Sequence, residues 1–355
     1  MSEHASDGAG TVEFGVFDWM DAAPGRDTAR VYEERLALAR RADVRGIGRY
    51  HVAEHHGTPL GLVSSPAVWL AAVARETERI RLVPTTFIVP FYDPLRLVQE
   101  IGMLDQLSGG RLELGVGKGS SPIEAAMFGW DREEVAERYA AAAPAIMAAL
   151  ETGVFTPPGG GADVELFIRP RRVPPFWYPT SNPASIAQAA ARGQHTIFGF
   201  AFRSPSLAVI REHRDVYFAE RERVERDLGV ADGAPRFGIL RHVLVAETDA
   251  EAFALAEAAF AEHYASFAHL WRRAGAAGYD ETPDLRDLVD RHLMFVGSAE
   301  SVRDQVVHAV EETGVNYLAG AFAWGGLPAE HALRSLDLFA DHVIPAVGGR
   351  APAGA

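Results

Sequence analysis

The densest group of residues that could carry chemistry is the run RYHVAEHHG, which begins at Arg49. Within it His51, Glu54 and His55 have the spacing of an inverted zincin motif, which holds zinc only on a helix. Glycines precede and follow the run and favour a strand with its loop, on which His51 and His55 share a face. We therefore expect these imidazoles and His56 to stand at the end of a strand and face an active site. A zinc site, or a group of polar residues without chemistry, is the alternative.

A glycine-rich turn supplies the second candidate, in the sequence GVGKGSSP from Gly115 to Pro122. Gly117 lets a ligand approach the backbone, Lys118 adds positive charge, and the following helix start offers free N–H groups. These features predict an anion site suited to one phosphate. The glycines also match part of a dinucleotide fingerprint, but they follow the fourth predicted strand rather than opening the chain. An ordinary turn with a solvated lysine is the alternative.

Further candidates lie in the second half of the chain and around residue 138. Ser181 and Asn182 end a predicted strand and precede a helix, so they suit either a phosphate or a simple helix cap. Arg138 lies on a predicted helix, where a surface role is the commoner one. Trp177 and Trp324 lie in predicted strands and either line a substrate pocket or fill the core.

The elements that must position these residues alternate between short β-rich runs and segments of helical period, such as 31–42, 95–107 and 136–150. Strands that alternate with helices indicate βαβ units and a parallel sheet. Eight strands favour a closed (β/α)8 barrel, because a closed sheet has no edge to protect. The predicted strands are 14–18, 47–52, 80–89, 111–116, 176–180, 196–200, 237–246 and 317–322.

Two regions interrupt this alternation, one before strand 5 (153–175) and one between strands 7 and 8 (249–293). Long insertions in a barrel usually lie on its loop faces and often form lids. No linker divides the chain, so a single domain over 11–347 is expected. The ends, 1–10 and 348–355, are expected to be disordered tails.

Composition limits the classes of function. The chain has 355 residues, no cysteine and a formal net charge of −14. The absence of cysteine excludes disulfides, thiolate nucleophiles and iron–sulfur clusters. The acidic balance argues against binding nucleic acid. No apolar run reaches the roughly 18–20 residues of a membrane helix, and a cytoplasmic location is expected.

Taken together, these motifs resemble the bacterial-luciferase-like monooxygenases, and the resemblance extends from about residue 14 to about residue 344. Each motif alone is weak, but their combination and order are specific. The motifs are EHH at 54–56 with SSP at 64–66, IRLVPTT at 80–86, DP at 93–94, LDQLSGGR at 104–111, VGSAESV at 296–302 and TGVNYL at 313–318.

The resemblance implies a TIM-barrel flavoprotein, typically a homodimer, that binds reduced FMN without a covalent bond. His55 matches the catalytic histidine of the family. The resemblance places Thr85 and Thr86 beside the isoalloxazine ring of the cofactor. It places Lys118 and Arg138 where the family has phosphate-binding arginines, and Ser181 and Asn182 near its phosphate-binding loop. Gly117 occupies the position of a reactive cysteine in luciferase. Glycine at 117 and lysine at 118 argue against light emission and long-chain aldehyde specificity.

The activity implied is that of the oxygenase half of a two-component system. A separate flavin reductase would supply reduced FMN, which forms a C4a-hydroperoxide with O2 and oxidises a small organic substrate, an aldehyde or similar. His55 would act as general acid/base, and no metal is required. The alternatives are an oxidoreductase that uses FMN with NADPH or a deazaflavin, a non-catalytic flavin-binding protein, and a zinc hydrolase.

Overall fold

The computed structural model describes residues 12–228 and 234–348. The predicted tails therefore lie outside the described residues, apart from Gly348, which ends the last turn with a φ of 69°. Within the described ranges, no helix has both the length and the apolar run that crossing a bilayer would require.

Twelve strands are present in the described residues, and each of the eight predicted strand runs overlaps at least one of them. The strands are β1 (Glu13–Asp18), β2 (Arg49–Val52), β3 (Arg81–Pro84), β4 (Phe87–Ile88), β5 (Leu114–Gly117), β6 (Val154–Phe155), β7 (Val164–Glu165), β8 (Phe176–Trp177), β9 (Thr196–Phe200), β10 (Phe237–Ala246), β11 (Met294–Ser298) and β12 (Tyr317–Ala321).

The main sheet is parallel and has the order β11-β10-β12-β1-β2-β3, with β9 beside the first half of β10. A second parallel sheet has the order β4-β5-β8. Isolated parallel bridges, Leu82 with Leu112 and Trp177 with His195, connect the two sheets. The result is an α/β fold around a curled parallel sheet.

Eleven α-helices cover this sheet in the described residues, and the three predicted helical segments fall inside α1, α3 and α5. Local caps fix several starts: Asp93 accepts from the Arg96 N–H, and Asp131 forms a capping box with Glu134. The helices are α1 (Thr28–Val44), α2 (Pro66–Glu76), α3 (Pro94–Leu107), α4 (Pro122–Met127), α5 (Arg132–Thr152), α6 (Ile186–Ala191), α7 (Leu207–Leu228), α8 (Asp249–Arg273), α9 (Leu285–Asp290), α10 (Ala299–Thr313) and α11 (Ala329–His342).

A buried ionic network crosses the interior at the amino ends of the strands. Glu113 accepts from Arg49 Nε at 2.8 Å and from Trp177 Nε1 at 2.6 Å, and it also binds Arg81. Burial opposes ionisation of Glu113, but the two guanidinium groups hold the pKa of this carboxyl well below its usual range. This end of the sheet is thereby sealed, which leaves the carboxyl ends of the strands for ligands.

The two interrupting regions contain regular structure. Residues 153–175 include the antiparallel pair β6 and β7, and residues 249–293 include α8 and α9. Immediately after them comes β11, a strand that the sequence did not predict. The ten residues of β10 extend beyond its neighbour β9, which pairs only with the first half of β10. The second half of β10, from His242 to Ala246, pairs with β11.

Candidate active site

Two groups of predicted site residues follow parallel strands: the segment from Glu54 to His56 comes shortly after β2, and Lys118 comes after β5. Trp19, which the sequence did not single out, comes directly after β1. Because the carboxyl ends of parallel strands lie at one end of a sheet, these residues share the end where α/β barrels bind their ligands. The described segment from Ala53 to Ser65 has no helix, as the glycine pattern predicted.

Glu54 anchors this segment to the neighbouring chain. Its Oε2 accepts from the Ile88 N–H at 3.0 Å and from the Tyr92 hydroxyl at 2.9 Å. Its Oε1 lies 2.8 Å from Nε2 of His56. Burial raises the pKa of the Glu54 carboxyl. The glutamate therefore holds the loop in place and fixes the His56 ring, which also packs edge-on against Phe128.

His55 has a different environment from His56. Its Nδ1 lies 3.0 Å from Oε1 of Glu124, and its side chain is 18% exposed while that of Glu124 is 5% exposed. The indole of Trp19 stacks on the imidazole, with ring centroids 6.0 Å apart. A carboxylate partner keeps the proton of a neutral imidazole on Nδ1 and leaves Nε2 to accept or return a proton. This is the arrangement that a general acid/base needs.

Glu124 was not among the residues predicted from the sequence. It lies in the first turn of α4, where Ser121 accepts from its N–H. The pattern Ser-x-x-Glu is typical of a capping box, in which the glutamate returns to its own helix end. Here the carboxylate instead reaches His55, 69 residues earlier in the chain. Sequence spacing does not reveal a contact over that separation.

Three residues predicted for the substrate pocket lie in the core. His51, Trp177 and Trp324 have no exposed surface. The Thr85 hydroxyl donates to the Val83 carbonyl, so it accepts from His51 Nδ1 at 2.8 Å. Burial lowers the pKa of His51 to about 3. In this structure these side chains fill the interior of the sheet and do not line an opening.

The side chains of Trp177 and Trp324 have their contacts inside the core. The Trp177 N–H donates to Glu113, and its ring packs against Tyr317 at 5.0 Å. The Trp324 N–H points to the Val243 carbonyl at 3.4 Å. Of the four residues predicted for the pocket, His56 alone keeps some exposed surface, 15% of its side chain.

The predicted phosphate residues lie on neighbouring elements. Lys118 is exposed and follows Gly117, which pairs with Ile88 across β4 and β5. Arg138 on α5 donates through Nε to the carbonyl of Pro90 at 2.9 Å, and its guanidinium lies 4.0 Å from the centre of the Trp130 ring. Both cations therefore flank the segment 88–90.

Ser181 and Asn182 are exposed and follow β8, the strand beside β5. The side chain of Asn182 accepts from the Ala184 N–H at 3.2 Å and so caps the short helix that begins there. The Ser181 hydroxyl is the more available of the two for a ligand, because the Asn182 oxygen already has this local partner.

The segment beside Gly117 is closely packed. A Cβ at position 117 would lie 2.5 Å from Thr86 Oγ1, so only glycine allows this approach. The peptide bond between Thr85 and Thr86 is cis. The side chain of Thr86 is partly exposed and that of Thr85 is buried.

Metal binding is the alternative interpretation of the His51, Glu54 and His55 spacing. The three side chains have separate partners: His51 with Thr85, Glu54 with Tyr92, and His55 with Glu124. Within residues 12–228 and 234–348, no group of three or more histidine and acidic side chains is arranged to hold a metal ion.

Comparison with known proteins agrees with this arrangement of motifs. A protein of Sinorhizobium fredii (strain NBRC 101917 / NGR234), "Uncharacterized protein y4wF", is 35% identical over 341 residues, which cover 94% of this chain and 97% of the relative. The 4-hydroxyprotoasukamycin monooxygenase of Streptomyces nodosus subsp. asukaensis is 28% identical and matches over 95% of this chain and 93% of its own length.

A solved structure has the same fold. It is the oxygenating constituent of 3,6-diketocamphane monooxygenase from Pseudomonas putida, a type II Baeyer–Villiger monooxygenase in complex with FMN. It superposes with a TM-score of 0.79 at 22% identity, over 94% of this chain and 99% of that one. The sequence profile described as luciferase-like monooxygenase matches residues 12–317. The chain belongs to the luciferase-like family of flavin-dependent monooxygenases.

Proposed function

We propose that this enzyme is the oxygenase component of a two-component system that uses reduced FMN and O2 to oxidise a small organic substrate. The observation that carries the proposal is the His55–Glu124 pair stacked on Trp19, with a Nδ1–Oε1 distance of 3.0 Å, at the carboxyl ends of the strands. We further propose that the curled sheet closes as a complete (β/α)8 barrel around which the site is built.

The donor set fits the phosphate of FMN. Lys118 and Arg138 would supply positive charge, and the Ser181 and Asn182 segment would supply hydroxyl and backbone N–H donors. These groups come from the ends of the neighbouring strands β5 and β8 and from α5, so they can converge on one anion. The glycine at 117, which allows close approach beside Thr86, suits a flat ring against the backbone.

When bound, FMN supplies the redox chemistry with O2, and the protein supplies position and proton transfer. His55 would accept or return a proton through Nε2, because Glu124 holds the opposite side of the ring. Trp19 would keep the imidazole plane fixed by stacking. Glu54 would preserve the loop geometry, since its two carboxylate oxygens bind Ile88, Tyr92 and His56.

The partners follow from this chemistry. The structure solved with FMN is the oxygenating constituent of 3,6-diketocamphane monooxygenase, and another relative is named as an oxygenase component. Both names support a separate reductase as the donor of reduced flavin here. The names of two relatives, 4-hydroxyprotoasukamycin monooxygenase and 3,6-diketocamphane monooxygenase, support an organic substrate with ring or ketone character, rather than a long-chain aldehyde. A homodimer and a cytoplasmic location stay predictions of the sequence.

The test combines binding and oxygen labelling. Anaerobic fluorescence titration should give a dissociation constant for reduced FMN that is lower than that for a reduced deazaflavin. With a generic flavin reductase, NADH and ¹⁸O2, a panel of cyclic ketones and aldehydes should yield a product that contains one labelled oxygen atom.

Each rival predicts a different result. Tight flavin binding with no labelled product from any panel member would indicate a non-catalytic flavin protein. Preference for the deazaflavin, with hydride transfer and no oxygen uptake, would assign the chain to the oxidoreductase alternative. Stoichiometric zinc with no flavin binding would identify a hydrolase.

A further inference from the structure

Four buried ring nitrogens lie together beside the candidate active site and have no hydrogen-bond partner among residues 12–228 and 234–348. They are Nε1 of Trp19, both ring nitrogens of His242 and Nε2 of His263. His242 and His263 are 0% and 1% exposed. Buried polar atoms in native proteins nearly always have partners, and an exception needs an explanation. Four such atoms on three adjacent rings indicate a site for a polar ligand.

The rings are close enough to act on one group. The His242 and His263 centroids are 4.4 Å apart, and Trp19 lies nearly parallel to His242 with centroids 6.5 Å apart. They come from three separate segments: Trp19 follows β1, His242 belongs to β10, and His263 lies on α8. Trp19 also stacks on His55, so this cluster is continuous with the proposed site.

Asp21 sets the hydrogen-bonding character of the cluster. Its Oδ2 lies 2.8 Å from His263 Nδ1 and accepts from the Gly325 N–H at 2.7 Å, while Arg35 binds its Oδ1 at 3.3 Å. The carboxylate therefore keeps the His263 proton on Nδ1, and Nε2 faces the cluster as an acceptor. Trp19 Nε1 is a donor only. Burial lowers the pKa of His242 far below its usual range, so that ring offers one donor and one acceptor.

We propose that Trp19, His242 and His263 bind a hydroxyl group of the organic substrate. A hydroxyl accepts from the Trp19 N–H and from the N–H of neutral His242, and it donates to His263 Nε2, which matches the polarity of all three groups. A carbonyl would leave His263 Nε2 unpaired, and a hydrocarbon would leave all four nitrogens unpaired, so the site discriminates against both. This inference rests on the proposed function, because it assigns the substrate end of the same site.

The test uses a matched pair of probes, cyclohexanol and methylcyclohexane, which differ by a hydroxyl in place of a methyl group, with cyclohexanone as a third arm. Histidine-labelled ¹⁵N protein is titrated with each probe, both alone and with FMN. Cyclohexanol should shift the ¹⁵N resonance of His263 Nε2. Its dissociation constant should be about tenfold lower than that of cyclohexanone, as expected for one hydrogen bond, and lower by a larger factor than that of methylcyclohexane, which forms none.

Two variants remove nitrogens but keep an aromatic ring: Trp19→Phe and His242→Phe. Each should weaken cyclohexanol binding about tenfold and leave methylcyclohexane binding unchanged. His269→Phe, on the same helix as His263 and partly exposed, is the control and should change neither. If His242→Phe does not fold, Trp19→Phe decides the question alone.

The proposal is overturned if the wild-type protein binds the three probes equally, or if Trp19→Phe binds cyclohexanol as well as the wild type does. Neither measurement requires turnover or flavin. Loss of FMN binding with the cyclohexanol preference intact would refute the proposed function alone. FMN binding and oxygenation without that preference would refute this inference alone.

Discussion

Mild acid should destabilise this protein strongly, because two buried histidines are held neutral. Burial lowers the pKa of His51 and of His195 to about 3, from the ordinary 6.5. The unfolded chain takes up these protons as pH falls through 6.5, whereas the folded chain excludes them until about pH 3. The stability is therefore complete above pH 6.5 and is lost progressively below it, by about 2 kcal/mol per histidine at pH 5.

His195→Gln isolates one of these contributions. His195 packs against Trp177 and offers a ring nitrogen 3.1 Å from Arg236 Nη1, and the amide oxygen of glutamine keeps an acceptor there. The free energy of unfolding is measured by urea denaturation at pH 7.5 and 5.0 for both proteins. The loss between the two pH values should be about 2 kcal/mol smaller in the variant.

The carboxyl groups that respond in the opposite sense do not disturb this comparison. Burial raises the pKa of Asp18 and of Glu54, so their protonation favours the folded state as pH falls. Both groups are present in the wild type and the variant, and their effect cancels in the difference. An equal loss of stability in the two proteins would show that His195 titrates normally and would refute the reasoning.

Two further predictions test the phosphate site and the backbone. Lys118→Ala should raise the dissociation constant of reduced FMN by a factor of about 5 to 150, which corresponds to about 1–3 kcal/mol for a charge-assisted hydrogen bond. Lys118→Glu should raise it further, because it adds repulsion. An unchanged dissociation constant in fluorescence titration would show that Lys118 does not bind the phosphate. Gly325→Ala should lower the melting temperature far more than Gly129→Ala, because a Cβ at 325 would lie 1.9 Å from the Ala259 carbonyl oxygen whereas one at 129 meets nothing within 4 Å. Both glycines have positive φ, 56° and 79°, so equal shifts in calorimetry would contradict the packing argument.

The strand and helix pattern could be predicted because it depends on local signals. Asp93-Pro94 and Ser121-Pro122 are local signals for a helix start, and in the structure Asp93 caps α3 and Ser121 caps α4. The strand Met294–Ser298 was not predicted because it has only five residues and its last residue, Ser298, is also the cap of α10, so the strand has no loop of its own to mark its end.

The candidate site could be predicted less completely. His51 lies in β2, where all four residues are buried, so no alternation separates core positions from pocket positions. Trp177 lies in β8, which has two residues and is too short to show an alternation. The pairing of His55 with Glu124 depends on the tertiary contact of the β2 loop with α4. His242 and His263 belong to no sequence motif. What distinguishes them is that both ring nitrogens of His242 and Nε2 of His263 have no partner among the described residues, which only the structure can show.

The most direct test of the central claim is the turnover of His55→Ala, measured as labelled product from ¹⁸O2 with the best substrate of the panel. Turnover should fall roughly 100- to 10,000-fold, the usual contribution of a positioned acid/base group, while the dissociation constant for reduced FMN stays the same and uncoupled H2O2 release rises. His56→Ala is the matched control, because its ring nitrogen is bound to Glu54, and its turnover should fall much less. Wild-type product formation by His55→Ala would contradict the account.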